Sequence, residues 1–164
     1  MLIGEHGTFR EIKKHNTLLE VGEVCSAFHF LLKGSCYQFR ATNAGENIID
    51  LHVAGDCVVN PASFMSRRPA SETIKVYEDG EVWVLTIQSL HQLIAKSQVF
   101  LQLARLLQVS ALRADLFDDA MTPIEKYRYL LANKPQFIRT FPLKYIASYL
   151  KITPETLSRV RAAI

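Results

Sequence analysis

Cysteines are few in this sequence of 164 residues. The three that it has, Cys25, Cys36 and Cys57, are an odd number, lie far apart and include no C-x-x-C pair. Such spacing excludes a disulfide framework and any four-cysteine zinc or iron–sulfur site on one chain. We expect three small, semi-buried thiols; a redox switch would instead need an exposed thiol with a lowered pKa.

Long apolar runs are also missing. No stretch approaches the roughly 18 uncharged apolar residues of a membrane span, and the start, MLIGEHGTFREIKKH, has polar and acidic residues where a signal peptide needs a continuous apolar run. The chain is nevertheless 49% hydrophobic and 21% charged, which is enough apolar surface for a sizeable core. We expect a soluble globular protein in the cytoplasm.

Catalytic constellations are absent as well. The five histidines include no close His-x-His pair of the kind that builds a metal site in a cupin, and no Ser/His/Asp or paired-carboxylate arrangement stands out. We therefore expect no enzyme, no metal site and no cofactor.

Charge is distributed unevenly along the chain. Residues 1–120 hold 11 Lys and Arg against 14 Asp and Glu, whereas residues 121–164 hold 8 against 2. A short basic module on a mildly acidic body is typical of a nucleic-acid-binding protein, because Lys and Arg that neutralise phosphates release counterions.

From about residue 16 to residue 87, short apolar and β-branched runs alternate with turn residues. Turns are predicted at Gly22-Glu23, Lys33-Gly34, Asn43-Ala44-Gly45, Gly55-Asp56 and Glu78-Asp79-Gly80. Such a pattern favours a β-roll or β-sandwich. Before it, residues 9–14 leave room for about one and a half turns of helix, at roughly 3.6 residues per turn.

A long helical stretch follows the strands. Ser89 and Gln92 fit a capping box, and the helical pattern continues, with a break near Ser97, to about residue 119. Its apolar residues form two rows, of which one can cover the β-roll. We expect the other to be a dimer seam, the alternative being a helix buried within a single core. The seam consists of Phe100, Leu103, Leu107, Ala114 and Phe117, with Ser110 and Met121 at the same spacing.

The last module begins at Thr122-Pro123-Ile124-Glu125, which predicts an N-cap, a proline at the first helical position and a capping box. Its helix ends before Pro135, and a connection through QFIRTF leads to LKYIASYL and PETLSRVRAAI. These two short helices, joined by Lys151-Ile152-Thr153, make a candidate helix-turn-helix. Thr153 is predicted to cap the second helix, with Pro154 at its first position. The apolar spacing predicts that the two helices pack together through Ile146, Ala147, Leu150, Leu157 and Val160.

The segment PLKYIASYLKITPETLSRVR resembles the C-terminal helix-turn-helix of the cyclic-AMP receptor protein and fumarate/nitrate regulator (Crp/Fnr) superfamily, and is especially close to a branch common in Bacteroidetes. Upstream, the glycine spacing resembles the superfamily's cyclic-nucleotide-binding β-roll. The resemblance implies an α+β protein: a β-roll (jelly roll) sensor domain over residues 1–97, a dimerisation helix over 98–121, and a helix-turn-helix, winged-helix-like DNA-binding domain over 122–164.

The resemblance also implies the partners: double-stranded DNA, a second copy of the chain and RNA polymerase, with a small-molecule effector left open. The family's base-reading Glu and Arg fall on Glu155 and Arg159, and Lys151 stands where the family usually has Gly. The residues expected to contact DNA are Lys144, Thr153, Glu155, Thr156, Ser158, Arg159 and Arg161.

The ligand cassette departs from the family pattern. Val59-Asn60 replaces the family's Gly-Glu pair, and Ala70-Ser71 replaces the Arg-Ser pair that grips a cyclic phosphate. We expect a degenerate effector pocket that does not bind cyclic AMP, and neither an iron–sulfur cluster nor haem is expected. The candidate pocket residues are Asn60, Ser63, Arg67, Arg68 and Ser71. The alternative to a regulator is a β-roll interaction module whose C-terminal helices bind a protein.

Overall fold

The structure is a computed structural model that describes residues 5–114, 116–117 and 119–164. Its first part is an antiparallel sheet in which β6 pairs with β1, β2 and β3, while β3 also pairs with β4 and β5. This confirms the expected jelly-roll-like β domain followed by helices. The strands are β1 (Thr8–Ile12), β2 (Thr17–Leu19), β3 (Ala27–Thr42), β4 (Gly45–Val53), β5 (Cys57–Val58) and β6 (Thr73–Thr86), with a short helix α1 (Pro61–Ser66) before β6.

Two of the predicted turns are wrong. The chain runs through Gly34 within β3 and through Gly80 within β6, and the two strands pair there with shifted register. A Cβ atom at Gly34 would lie 2.7 Å from the carbonyl oxygen of Asp79, and one at Gly80 would collide with the carbonyl oxygen of Lys33. These glycines therefore allow two bulged backbones to approach closely instead of reversing the chain.

Residues 9–14 contain a strand instead of the helical turns for which they left room. Strand β1 occupies residues 8–12 and pairs with β6, with Thr8 opposite Val84 and Ile12 opposite Gly80. Pairing with β6 buries Ile12, which is 1% exposed, and gives the backbone of β1 its hydrogen bonds.

The helix after the sheet begins earlier than the sequence suggested. It is α2 (Ile87–Lys96), and its N-cap is Thr86, whose hydroxyl accepts a 3.1 Å hydrogen bond from the backbone N–H of Ser89. The capping box of Ser89 with Gln92 is thus wrong, whereas the break at Ser97 is confirmed. Leu90 and Leu93 of α2 pack into the core of the β domain.

The segment that leads out of the β domain, which we call the connector, is a 3₁₀ helix (Gln98–Leu103) followed by α3 (Ala104–Ala114). A single helix reaching residue 119 is therefore wrong, because residues 116–117 and 119–120 form bends and turns. The chain bends there as Phe117, 2% exposed, packs edge-on between Tyr129 and Tyr149 of the last module.

The last module consists of four helices: α4 (Pro123–Asn133), α5 (Pro135–Thr140), α6 (Leu143–Tyr149) and α7 (Pro154–Ala162). The capping box of Thr122 and Glu125 is confirmed, with the helix end before Pro135. The connection QFIRTF is itself helical, which buries Phe137. Residues 119–164 contain no strand among those described, so the expected wing is not part of this segment.

Within the described residues, the buried apolar side chains form two clusters. The first fills the β domain, and α2, Leu107 and other connector residues close it. The second is shared, because Tyr37, Phe39, Ile48 and Leu51 of β3 and β4 pack against the helices of the last module. None of the helices in the described ranges is long and apolar enough to cross a membrane.

Candidate nucleic-acid interface and effector cavity

Helices α6 and α7 form a compact pair. Their contact is built from residues with little or no exposed surface, as the apolar spacing predicted: Ile146, Ala147, Leu150, Leu157 and Val160. Ala147 has no exposed surface, and its small side chain allows the two helices to pack closely. The packing fixes the orientation of α7 relative to α6.

The turn between the two helices has a left-handed residue at Lys151, whose φ is +55°. Lys151 donates its backbone N–H to the carbonyl oxygen of Ser148, and Ile152 donates to that of Ala147, each at 3.0 Å. These two bonds are the Schellman pattern that ends a helix, in which glycine usually occupies the left-handed position. The geometry at Lys151 is therefore the positive φ that the family's glycine would supply, achieved here at a cost of about 1 kcal/mol.

Helix α7 begins as the sequence predicted. The Thr153 hydroxyl accepts a 3.2 Å hydrogen bond from the N–H of Thr156, and Pro154 takes the first helical position. Arg159 donates to the Thr156 hydroxyl at 3.3 Å, which holds its guanidinium over the first turn of the helix.

One face of α7 is exposed and polar. The residues expected to contact DNA are all exposed except Thr156, which is half-buried: Lys144, Thr153, Glu155, Thr156, Ser158, Arg159 and Arg161. The Lys144 ammonium lies 5.4 Å from the centre of the Tyr145 ring, at the start of α6. Such a face can donate to guanine and phosphate through Arg and Lys, and can accept from cytosine through Glu.

A cavity of about 540 Å³ lies where three parts of the chain meet. Strands β3 and β4 and the start of α1 supply most of its wall, Ser110 and Ala111 of α3 supply another side, and Lys151 reaches it from the turn of the last module. Its volume falls in the range usual for small-molecule sites. An occupant would therefore contact the β domain, the connector and the α6–α7 turn at once.

Of the five predicted pocket residues, Asn60 is the one that lines this cavity. Ser63 is buried beneath the cassette, where its hydroxyl donates to the carbonyl oxygen of Arg68 at 2.6 Å. Arg67 turns away and donates to the carbonyl oxygen of Cys25 at 2.6 Å, while Arg68 and Ser71 are exposed. Those four side chains do not line this cavity, because the left-handed Arg67 ends α1 and redirects the loop.

Several polar residues of the cavity wall were missed by sequence reasoning, and two of them, Gln38 and Arg40, are hydrogen-bonded to a third, Glu72. The Glu72 carboxylate accepts hydrogen bonds from Asn60 Nδ2 at 2.6 Å, from Gln38 Nε2 at 2.9 Å and from Arg40 Nη2 at 2.7 Å. Gln38 and Arg40 alternate with apolar residues in β3, which is an ordinary strand pattern and gave no signal. Glu72 directly follows the Ala70-Ser71 pair and could have been noticed there.

The predicted dimer seam is largely buried within the chain. Leu107 is 7% exposed, Phe117 is 2% exposed, and Phe100 and Leu103 are half-buried against the β-domain core. The side chain of Ala114 lies outside the described residues. The row of residues that the sequence assigned to the dimer seam is thus the one that packs against the protein's own apolar clusters. The exposed apolar side chains of the connector are Val99, Leu101, Val109 and Leu112, which we call the apolar connector face.

No metal site accompanies this cavity. The described residues contain no group of three or more His, Cys, Asp and Glu side chains that could hold a metal ion.

The β-roll and the helices that close it form one domain, which is joined to a small helical module. The family model "Cyclic nucleotide-binding domain" matches residues 9–97, and the chain therefore belongs to this family. Among curated proteins the sequence has no significant match.

Solved structures share the fold over nearly the whole chain. FixK2 from Bradyrhizobium japonicum has 17% identity and a TM-score of 0.77, with 96% of this chain and 83% of that chain covered. The catabolite activator protein of Thermus thermophilus has 21% identity and a TM-score of 0.54, with 97% and 78% covered. The c-di-GMP-responsive global regulator CLP of Xanthomonas campestris has 14% identity and a TM-score of 0.64, with 99% and 88% covered. The chain thus has the fold of Crp/Fnr-type regulators.

Much of the polar wall of this cavity is hydrogen-bonded within the protein, because the Glu72 carboxylate accepts from Asn60, Gln38 and Arg40. A cyclic nucleotide, the ligand class in the family's name, carries an anionic phosphate, which would meet the like charge of Glu72 beside these donors.

Proposed function

We propose that the protein is a sequence-specific DNA-binding transcription regulator of the Crp/Fnr type. The observation that carries this proposal is the exposed face of α7, on which Glu155, Ser158 and Arg159 stand clear of the core while Leu157 and Val160 anchor the helix from behind. The fold shared with FixK2 and CLP supports it. So does the motif of α6 and α7, whose sequence resembles that of the Bacteroidetes-type branch.

In this proposal α7 enters the major groove and α6 crosses the backbone. Arg159, held by Thr156, reads a guanine edge and Glu155 accepts from a cytosine, while Lys144 and Arg161 bind phosphates. The DNA-bound protein acts on RNA polymerase in the cytoplasm.

The test of DNA reading is selection of sites from random duplexes at roughly physiological salt, followed by affinity measurements on the selected site and on random DNA. Arg159→Ala should cost about 1 to 3 kcal/mol on the selected site and relax its specificity at one base pair. Lys144→Ala is the matched control, because loss of a phosphate contact should weaken binding to all sequences equally. Equal losses on both DNAs for Arg159→Ala would contradict its role as a base reader.

We further propose that the protein is a homodimer through the apolar connector face. Val109 and Leu112 lie three residues apart, on one side of α3, and are 54% and 67% exposed. Two copies joined there would present their α7 helices to half-sites about 34 Å apart, one helical turn of DNA.

The dimer is tested by sedimentation. Leu112→Glu should shift the mass from dimer to monomer, since it places a charge in an apolar interface, whereas Leu32→Glu on the β domain should leave the dimer intact. Leu107 is unsuitable for this purpose, because it is buried in the β-domain core. An unchanged dimer in Leu112→Glu would contradict this surface.

The alternative is an interaction module whose last helices bind a protein. The salt dependence of the binding affinity distinguishes the two functions. DNA binding should weaken steeply as the salt concentration rises, whereas apolar packing of helices against a protein should not. A degenerate effector pocket is part of the same proposal. An effector would bind in the cavity that Lys151 lines, and from there it would act on the orientation of α7. We propose that this effector is not cyclic AMP.

A further inference from the structure

Glu72 lies where hydrogen-bond donors from three parts of the chain converge. Its Oε2 atom accepts from Asn60 at 2.6 Å and from Gln38 at 2.9 Å, and its Oε1 atom accepts from Arg40 at 2.7 Å and from Ser71 at 3.3 Å. The donors come from β3, from the residue before α1 and from the loop before β6. The Glu72 side chain itself is 13% exposed.

The two amide donors are fixed in position by the fold. Asn60 is 2% exposed, and its Oδ1 atom accepts the backbone N–H of Ser63 at 2.9 Å, so that its Nδ2 group must point toward Glu72. Gln38 is 5% exposed and lies in the middle of the sheet between β4 and β6. Buried N–H groups of this kind need an acceptor in the folded protein.

Two buried amides and a guanidinium aimed at one point make an anion site. We propose that Glu72 is the resident anion of this cavity: its carboxylate occupies the position that the donors create, and the cavity in consequence excludes phosphates and other external anions. Arg40 forms an ion pair with Glu72, which neutralises its charge. Asp50 adds a second carboxylate to the wall, and Lys151 is the remaining cation of the lining.

The inference does not depend on DNA binding, because it concerns how the cavity satisfies its own donors. It predicts that removing the carboxylate exposes an empty anion site in an otherwise intact fold. The probes are sodium formate and inorganic phosphate, titrated against sodium chloride at equal ionic strength.

The experiment compares thermal unfolding of three proteins in these salts. Glu72→Ala should unfold at a lower temperature than wild type in chloride, and formate or phosphate should raise its midpoint saturably, as for a ligand that binds the folded state. Wild type should show no such shift. Glu81→Ala is the matched control, because it removes a surface carboxylate that binds Lys33 at 2.8 Å and lies outside this cavity, and it should not respond to formate. Equal responses in all three proteins would overturn the proposal.

A second pair of variants separates charge from shape, and it decides the question even if Glu72→Ala does not fold. Glu72→Asp keeps the carboxylate in a shorter side chain, whereas Glu72→Gln keeps the shape without the charge. If Glu72 is the resident anion, the thermal unfolding midpoint of Glu72→Asp should lie closer to that of wild type than the midpoint of Glu72→Gln does. A Gln variant as stable as wild type, or a wild-type protein that binds cyclic AMP or phosphate in calorimetry, would overturn the proposal.

Discussion

His29 is a titratable side chain held inside the β domain. It lines a second cavity, of about 490 Å³, together with Arg10 and Cys25. Burial lowers the pKa of His29 from 6.5 to about 4, and the charge of Arg10 adds to the effect. The sequence identified this histidine as one of five without assigning its environment, because burial depends on strands that are distant in sequence.

The pKa of His29 makes stability depend on pH. Between pH 6.5 and about 4, the unfolded chain protonates this imidazole while the folded protein keeps it neutral, so that the free energy of unfolding falls as the pH falls. The loss from this group should reach about 3 kcal/mol at the acid end of the window and be absent above pH 6.5. Denaturant unfolding from pH 4 to pH 7 measures it.

His29→Gln is the comparison, because it cannot be protonated. Its stability should change less over the same pH range than that of wild type. Parallel pH profiles for the two proteins would mean that other groups cause the acid loss.

The cysteines match the expectation of buried or half-buried thiols. Cys25 and Cys36 are buried and Cys57 is half-buried. Burial raises the pKa of Cys36 to about 12 and that of Cys25 above its ordinary value, which keeps both as unreactive thiols at neutral pH.

At the scale of elements, the sequence predicted best those features that are encoded within three or four residues. The capping box of Thr122 and Glu125 and the N-cap at Thr153 each depend on a few consecutive residues. Features that depend on a partner strand were predicted worst. Gly34 and Gly80 look like turn residues, and only the approach of β3 to β6 makes them bulges.

The turn at Lys151 gives a direct test of backbone strain. Lys151→Gly should raise the free energy of unfolding by about 1 kcal/mol, because glycine adopts positive φ without a Cβ penalty. Lys151→Ala is the control: it removes the same side chain but keeps the Cβ atom, and it should give no gain. Equal stabilisation by both substitutions would show that the lysine side chain, rather than its φ, is the source of the cost.

At the scale of the whole molecule, the β domain and the last module both contribute side chains to the second apolar cluster. Beyond the apolar cluster, Ser148 accepts the backbone N–H of Ile48 at 2.9 Å, and Lys134 binds Asp56 at 2.8 Å. A shared core implies that the two parts unfold together.

This can be measured with two signals that report on different parts. Trp83, the single tryptophan, lies in β6 and reports on the β domain by fluorescence. Helical circular dichroism reports in large part on α4–α7. The two thermal transitions should coincide, as in a cooperative two-state protein. Loss of the helical signal well before that of Trp83 would show that the last module is held only weakly.

The sequence by itself determined the order of the parts and the chemistry of the helical pair. Strand-and-turn alternation indicated the β-roll, capping residues fixed the starts of α4 and α7, and apolar spacing predicted the buried contact of α6 with α7. These features are local, because hydrogen bonds and side-chain contacts over three or four residues follow from chain geometry alone.

The tertiary structure decided which surfaces remain available. Which row of the connector faces the β domain depends on how the connector lies on the sheet. The sequence pointed to the row of Leu107 as the exposed apolar face, whereas in the structure Leu107 is buried and Val109 and Leu112 are exposed. Tertiary packing also placed the Glu72 carboxylate in the wall of the cavity. Glu72 meets Asn60, Arg40 and Gln38 across 12, 32 and 34 positions of sequence, a convergence created by packing and invisible in any local pattern.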